Sequence, residues 1–377
     1  MRTWVEINAD SLRANIDALS CLACVPIWAM VKSNAYGHGA ETVVSEMLKS
    51  KIYNLKSICG YGVSSGEEAL LLRKILPKGR IAVFADSSDA SLEELAKNNI
   101  EISLTGWDMM EKIKIYRGKQ KIKVHIKIET GLNRYGFEIK DISKISSALP
   151  ALPITAAGIY SHFSAVEEGY YRSAQSQLDA FLWGAHALDP QHIYEWHMAA
   201  TAAAIELPES RLDSVRLGIG IYGLSPSPRL AKNGSLIDFK PVLTWKTTIS
   251  DIRHVRVGDT IGYGNTYKVL EPMTIAVLPV GYADGYDRRL SNKGEVLIGG
   301  ARYPIVGRVF MNTIIVDITK YPDLRGQGGG SKIGDEVVLI GMQGKEEITA
   351  DEIAKTMGTI NYEVVTRINW LIPRIVI

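Results

Sequence analysis

Eight apolar runs of strand length, separated by helical patterns, are the feature that most constrains the fold of this chain. Their predicted bounds are Ile27–Val31, Ile58–Val63, Arg80–Phe84, Ile100–Leu104, Lys121–Ile128, Ile154–Tyr160, Tyr194–Met198 and Ser214–Leu217. Strands that alternate with helices pair in parallel, and eight such units are the number that closes a (β/α)8 barrel. A doubly wound open sheet is the alternative, but eight strands in about 200 residues favour closure. We therefore predict an α/β fold that begins with a TIM barrel.

The pattern changes after Pro226 and Pro228, where strand signals follow one another with only turns between them. The predicted strands are Leu243–Val255, Thr274–Val280, Glu295–Ile298, Tyr303–Val309, Ile314–Ile318 and Glu336–Ile340. Only Ala350–Met357 has a helical pattern, and the glycine-rich segment 326–330 is interpreted as a surface loop because no helical pattern follows it. Consecutive strands indicate a mostly-β domain. The predicted domains are residues 1–228, a barrel, and residues 229–377, a β-rich domain.

Charge and hydropathy exclude several classes of protein. The net charge is only +2, from 43 basic and 41 acidic residues, so no basic field favours nucleic acid or a membrane surface. No run of 18 apolar residues is present, and the amino terminus lacks the apolar core of a signal peptide, so we predict a cytoplasmic location. Cys21 and Cys24 form a Cys-x-x-Cys pair, but a zinc site needs two further ligands and only Cys59 remains. We therefore predict buried structural thiols and no metal.

Lys32 directly follows the first apolar run. A lysine at the carboxyl end of a buried strand is partly removed from water, which lowers its pKa and makes it a candidate for Schiff-base formation. The alternative is a lysine whose ammonium simply extends to solvent from the strand end.

Other polar residues also follow predicted strands, at the edge where barrels place their active sites. They are Lys127, Glu129, Arg134, His162, His197 and Arg216. Three of the seven histidines, His38, His162 and His197, therefore lie at or just beyond the ends of predicted strands. Gly218 and Gly220 let backbone N–H groups approach a phosphate, and barrels often bind phosphate after their last two strands. A lysine on one side and a phosphate cradle on the other is the layout of a pyridoxal-phosphate site.

Segment 31–39, Val-Lys-Ser-Asn-Ala-Tyr-Gly-His-Gly, closely resembles the signature of the alanine racemase family, whose members are pyridoxal-phosphate enzymes of fold type III. The similarity continues through segments 127–134, 216–220, 262–264, 281–285, 307–311 and 360–363. The resemblance thus covers nearly the whole chain and implies an isomerase.

The resemblance also implies roles for individual residues. Lys32 would carry pyridoxal 5'-phosphate, whose phosphate group would be surrounded by Tyr36, Thr201, Gly218, Ile219 and Tyr362. His162 would lie against the cofactor ring with Phe84 near it, and His197 would hold Arg216 against the pyridine nitrogen.

The substrate side is implied in the same way. Arg134 would contact the substrate carboxylate, steadied by Lys127, which is a carbamate in many family members. Tyr263 and Met311 would enter the site from the second subunit of a homodimer. Racemisation removes a proton from one face of Cα and delivers one to the other, so it needs two bases, Lys32 and Tyr263. The product D-alanine would supply peptidoglycan synthesis.

Four positions depart from what the family commonly shows. Asn312 stands where aspartate is usual, Phe310 where cysteine is frequent, and Ala200 and Thr201 replace asparagine and serine. Because Asn312 lacks a negative charge near the substrate entrance, serine is the alternative substrate to alanine. The catalytic domains of the serine racemases of glycopeptide resistance, which belong to longer membrane-linked proteins, are similar to this chain.

An alternative of another class is a pyridoxal-phosphate-binding protein without turnover. Such proteins lack the β-rich domain and the second base, and the sequence predicts both here. A decarboxylase of the same fold type fits the sequence around Tyr263 poorly.

Overall fold

A computed structural model of the protein describes residues 2–49, 57–188, 195–232, 237–320 and 331–377. These residues form two compact units. The first unit consists of Leu12–Ala35 and Val43–Lys240, and the second of Met1–Ser11, Tyr36–Thr42 and Pro241–Ile377. The predicted glycine-rich loop 326–330 and the predicted start of a strand at Tyr194 lie outside the described residues.

A closed sheet of parallel strands forms the first unit, which confirms the predicted barrel. Strands are numbered in chain order, and β1 (Thr3–Ile7) belongs to the second unit. The eight barrel strands are β2 (Ile27–Met30), β3 (Ile58–Val63), β4 (Ile81–Val83), β5 (Ile100–Leu104), β6 (Ile122–Glu129), β8 (Ile154–Tyr160), β9 (Trp196–Ala200) and β10 (Ser214–Leu217). Each pairs with the next, and β10 pairs with β2 to close the ring. The short strand β7 (Phe137–Glu138) adds to β6.

The barrel strands are buried on both sides, as expected of parallel strands covered by helices. All residues of β2, β4, β5 and β10 are buried, which explains why these strands appear in the sequence as continuous apolar runs. The helices of this part of the chain are α1 (Ala9–Ala23), α2 (Ala40–Lys49), α3 (Gly66–Ile75), α4 (Leu92–Lys97), α5 (Trp107–Ile115), α6 (Ile142–Ala148), α7 (Tyr171–Ala187), α8 (Thr201–Glu206) and α9 (Pro228–Lys232).

The second unit is mostly β, as the sequence predicts. Its strands, besides β1, are β11 (Leu243–Thr248), β12 (Asp251–Val255), β13 (Thr260–Ile261), β14 (Tyr267–Lys268), β15 (Met273–Leu278), β16 (Glu295–Ile298), β17 (Ala301–Pro304), β18 (Ile314–Asp317), β19 (Glu336–Gln343), β20 (Glu346–Ile348) and β21 (Arg374–Val376). The main sheet has the order β17-β16-β19-β11-β1-β21, with β20 on β19. A second sheet has the order β12-β15-β18, so the predicted strand Leu243–Val255 is two strands in different sheets.

Helix α10 (Ala350–Met357) lies where the sequence predicts it, and α11 (Asn361–Thr366) follows it unpredicted. Six residues are too few to display a helical period, so α11 has no clear signal in the sequence.

The units differ in extent from the predicted ranges 1–228 and 229–377. The first unit runs on to Lys240, and Met1–Ser11 belongs to the second unit because β1 pairs antiparallel with β11 and parallel with β21. Strand pairing of this kind joins the two ends of the chain and leaves no trace in local sequence. Among the described residues, no helix combines the length and the apolar character that a bilayer crossing requires. The predicted burial of the thiols is wrong for Cys21 and Cys24, which are exposed at the end of α1 and just beyond it.

Candidate active site

Lys32 lies at the carboxyl end of β2 and begins a turn of unusual conformation. The four consecutive residues Ser33–Tyr36 lie in the left-handed region, with φ between 52° and 54°. Each non-glycine residue there costs about 1–2 kcal/mol. The Ser33 N–H donates to Glu68 Oε1 at 2.6 Å, which helps to hold the turn. Strained backbone of this kind clusters at functional sites.

The Lys32 amine lies among other cations. Burial, followed by the positive charge of Arg134, lowers its pKa below the ordinary value, and the negative charge of Glu68 opposes this shift. A lowered pKa increases the fraction of neutral amine, the form that reacts with a carbonyl carbon.

Arg216 on β10 is held in a single position inside the barrel. It is 4% exposed and donates to the carbonyl oxygens of Ser161 at 2.7 Å, Met198 at 2.9 Å and His197 at 3.1 Å. Its Nη1 also donates to His197 Nδ1 at 2.6 Å, and its Nη2 to His162 Nδ1 at 3.2 Å. Burial lowers the pKa of Arg216 to about 10, so the guanidinium remains charged at neutral pH.

Both histidines are therefore neutral acceptors. Burial, and then the charge of Arg216, lowers the pKa of His162 and that of His197 well below the ordinary value. Phe84 packs beside this pair, with its ring centroid 5.2 Å from that of His197 and 5.7 Å from Arg216 Cζ.

Lys127 at the end of β6 is 3% exposed. Burial and the charges of Arg134 and Arg216 lower its pKa to about 8, against a weaker opposing effect of Glu129. Arg134 itself is exposed, in the loop after β6.

Thr201 and Gly218 lie together at the same end of the barrel. The Gly218 N–H donates to Thr201 Oγ1 at 3.2 Å, and both residues are buried. Ile219 begins a short 3-10 turn, Ile219–Tyr222, which follows β10. A Cβ at Gly220 would lie 2.6 Å from Thr201 Cγ2, so this position needs glycine.

The remaining predicted site residues belong to the second unit. Tyr263 lies in a turn between Gly262 and Gly264, whose φ values are 79° and 73°, and its side chain is 71% exposed. Met311 is also exposed, and Arg2 Nη2 donates to the backbone carbonyl of Asn312 at 2.6 Å.

Tyr36 and Tyr362 lie near each other in this unit, with ring centroids 6.1 Å apart. His38 is fully buried, and its Nδ1 lies 3.0 Å from the Tyr36 carbonyl oxygen, so it has a structural role.

The structure thus brings together, at the carboxyl end of the barrel, Lys32, Phe84, Lys127, Arg134, His162, His197, Thr201, Arg216, Gly218 and Ile219. Tyr36, Tyr263, Met311, Asn312 and Tyr362 form no part of that unit. Sequence reasoning missed two residues that extend the site, His125 and Glu101. His125 Nδ1 lies 2.9 Å from His197 Nε2, and His125 Nε2 lies 2.8 Å from Glu101 Oε2. The available signal was a glutamate inside the apolar strand β5.

The closed barrel, with an amine and a fixed guanidinium at the carboxyl ends of its strands, defines a barrel enzyme whose active site centres on a lysine. Comparison with known families is specific. The model of the alanine racemase N-terminal domain matches residues 7–226, and that of the alanine racemase C-terminal domain matches residues 242–376. The chain belongs to the alanine racemase family, a family of pyridoxal-phosphate-dependent racemases, and is therefore an isomerase.

Relatives that match along their full length support membership of this family. Alanine racemase 1 of Clostridium acetobutylicum is 34% identical over 99% of this chain and 95% of its own length. Alanine racemase 2 of Bacillus subtilis is 36% identical over 98% of this chain and 93% of its own. The crystal structure of alanine racemase from Bacillus anthracis with bound L-Ala-P has a TM-score of 0.89 at 32% identity and covers 100% of this chain and 95% of that one.

Proposed function

We propose that the protein interconverts L- and D-alanine with pyridoxal 5'-phosphate held through Lys32. The observation that carries the proposal is the place of Lys32 beside the fixed guanidinium of Arg216, at the carboxyl end of the barrel. Alanine is proposed as the substrate because the full-length relatives are alanine racemases.

The residues of the barrel fit this cofactor. The Lys32 amine, with its lowered pKa, suits a covalent link to the aldehyde carbon. The hydroxyl of Thr201 and the backbone of Gly218 and Ile219 suit the phosphate. Arg216 suits the pyridine nitrogen, because a guanidinium cannot give up its proton at ordinary pH and so leaves that nitrogen unprotonated. That Tyr36 and Tyr362 add to the phosphate site stays a prediction.

The bound cofactor supplies an electron sink for the pair left on Cα when its proton departs. In the proposed reaction, Lys32 Nζ removes or delivers the proton on one face of Cα, and Tyr263 Oη acts on the opposite face. One proton leaves Cα and one returns, so the substrate changes configuration and nothing else. The Arg134 guanidinium is proposed to hold the substrate carboxylate, because it lies in the loop beyond β6 and its charge acts on both Lys32 and Lys127.

We infer further that the active protein is a homodimer in which Tyr263 and Met311 of one subunit reach the barrel of the other. Both side chains are largely exposed, at 71% and 55%, so they are accessible to the barrel of a second subunit. A two-fold dimer would give two such sites from one kind of contact.

A chiral assay tests the proposed function. The protein purified with pyridoxal phosphate is incubated with L-alanine or with L-serine, and each enantiomer is quantified with time. We expect conversion of L-alanine to an equal mixture with D-alanine, at a rate well above that for serine, and none with Lys32→Ala. Equal or faster conversion of serine would overturn the substrate assignment. Absence of D-alanine from a cofactor-loaded protein would overturn the function.

A further inference from the structure

The interior of the barrel contains a line of polar side chains, of which the proposed reaction explains only Arg216. Barrel interiors are usually filled by branched apolar residues. Here Glu101, His125, His197 and Arg216 follow one another from the amino-terminal half of β5 to β10, and they are 2%, 0%, 0% and 4% exposed. Buried ionisable groups are costly unless each is paired, so this line needs a reason.

The proton positions along this line follow from one fact. Arginine has no acceptor, so its Nη1 must donate to His197 Nδ1 at 2.6 Å. The single proton of neutral His197 then lies on Nε2 and points to His125 Nδ1 at 2.9 Å. Because His125 Nδ1 accepts this proton, the proton of His125 itself lies on Nε2 and is donated to Glu101 Oε2 at 2.8 Å. Each N–H that points along the line from Arg216 to Glu101 therefore meets an acceptor, and the guanidinium at one end and the carboxylate at the other favour the same two tautomers.

Two further features support this arrangement. A Cβ at Gly158, on β8 between β6 and β9, would lie 2.6 Å from His125 Nδ1, so glycine leaves the space that the contact between the two histidines uses. Glu101 also accepts from Arg80 Nε and Nη2, both at 2.9 Å. Although burial alone would raise the pKa of Glu101, the hydrogen bonds from His125 and Arg80 lower it to about 2, so the acceptor stays ionised.

Glu195 shows that pairing with Arg80 does not by itself account for Glu101. Arg80 Nη1 lies 2.9 Å from Glu195 Oε2, so this arginine has a second carboxylate partner. Glu195 Oε1 accepts from Trp28 Nε1 at 2.6 Å and from the Ser214 hydroxyl. Of the two carboxylates, only Glu101 is hydrogen-bonded to the histidine line.

We propose that Glu101 and His125 are positioning residues that act through His197 to hold Arg216 in its place at the active site. Loss of the carboxylate lets His125 place its proton on Nδ1, which forces His197 to place its own on Nδ1, against the N–H of Arg216. The guanidinium then moves. This inference rests on the proposed function only for its consequence: a displaced Arg216 no longer keeps the pyridine nitrogen unprotonated. Transamination, which converts one alanine and one cofactor into pyruvate and the aminated cofactor, then competes with racemisation.

The first test is the protonation of His197. Protein labelled with ¹⁵N-histidine is studied by NMR without cofactor, and the His197 signals are assigned with a His197→Gln variant. In the wild type and in Glu101→Gln, which keeps an acceptor oxygen for His125, we expect a proton on Nε2 and none on Nδ1. In Glu101→Leu we expect His197 to carry its proton on Nδ1 in a substantial fraction of the molecules. Glu195→Leu, which also removes a carboxylate from Arg80, is the matched control and should keep the wild-type signals.

The second test uses the loaded enzyme and measures pyruvate formed per racemisation event. We expect at least a tenfold increase in Glu101→Leu, with Glu101→Gln and Glu195→Leu near the wild type. His125→Leu keeps the Glu101–Arg80 pair and should show the same increase as Glu101→Leu. It replaces Glu101→Leu in this test if Glu101→Leu does not fold. Unchanged His197 signals and an unchanged pyruvate ratio in Glu101→Leu and in His125→Leu would overturn the inference. A wild type that binds no cofactor would overturn the proposed function but leave the first test intact.

Discussion

Four nitrogen-bearing side chains at one end of the barrel affect one another electrostatically. Burial and the positive charges of Arg134 and Arg216 lower the pKa of both Lys32 and Lys127. Arginine is the residue type that stays charged under these conditions, so the effect is instead a larger neutral fraction of the two lysines. The arrangement thus prepares two amines for reaction with carbonyl carbons.

The lowered pKa of Lys127 also prepares this residue for reaction with carbon dioxide. With a pKa of about 8, its neutral fraction rises from about a tenth at pH 7 to about nine tenths at pH 9. A neutral amine attacks carbon dioxide, an N–C bond forms and one proton leaves the nitrogen, which gives a carbamate whose charge is opposite to that of Arg134. We expect ¹³C-bicarbonate to give a carbamate signal in the NMR spectrum that Lys127→Arg abolishes. Lys123→Arg, on the same strand, should retain the signal, and a signal that persists without Lys127 would contradict this assignment.

Tyr263 is the subject of a second prediction about a single residue. Tyr263→Phe removes one hydroxyl from an exposed side chain, so cofactor binding and stability should be unchanged. Turnover should fall by about 10² to 10⁴, the usual contribution of a positioned acid or base. Tyr267→Phe, on β14 of the same unit, is the control and should retain activity. A loss of less than about tenfold would remove Tyr263 from the reaction.

At the scale of elements, the turn after β2 depends on Gly37. This residue has φ of 83°, and a Cβ there would lie 1.9 Å from the backbone carbonyl oxygen of Val365. Gly358 also has a positive φ, 70°, but nothing lies within 4 Å of its added Cβ. We expect Gly358→Ala to lower the free energy of unfolding by about 1–2 kcal/mol, the cost of the left-handed conformation alone. Gly37→Ala should cost several kcal/mol more in urea unfolding, and equal costs would show that the backbone contact is unimportant.

The strands and helices of the barrel unit show what the sequence could and could not predict. The barrel strands were predictable because they are buried on both faces, and β3, β5, β8 and β10 have the predicted bounds. Helix caps were less predictable. Asp89 stands shortly before α4, but it accepts from the N–H groups of Gly66 and Glu67 at 2.9 Å and so caps α3, the helix before it. A cap of this kind depends on tertiary contacts as well as on local sequence.

The candidate site was predictable at the strand ends and not in the barrel interior. Lys32 and Arg216 stand in motifs, whereas the contact between Glu101 and His125 depends on how β5 pairs with β6, where Ser103 is the partner of His125. Register of this kind is a property of the closed sheet. The left-handed turn at Ser33–Tyr36 was likewise unpredictable, since none of its residues is glycine.

At the scale of the whole molecule, the second unit combines both ends of the chain with a short segment next to Lys32. Tyr36–Thr42 belongs to this unit, and Arg374 of β21 donates to the carbonyl oxygen of Gly37 at 2.7 Å from Nη2. The chain therefore leaves the barrel unit four residues after the lysine and returns to it at Val43. Residues of the two units that are proposed to act on one substrate are thus encoded in separate segments.

The measurement that tests the central claim most directly is subunit complementation. Lys32→Ala and Tyr263→Ala chains, each inactive alone, are mixed under conditions that exchange subunits, and alanine racemisation is measured. If the site combines Lys32 of one subunit with Tyr263 of the other, each mixed dimer has one complete site of two, and about half of the dimers are mixed at full exchange. Activity should then recover to about a quarter of the wild-type value, on the statistics of a two-fold dimer. Mixed dimers that form and stay inactive would contradict a shared site built from these two bases.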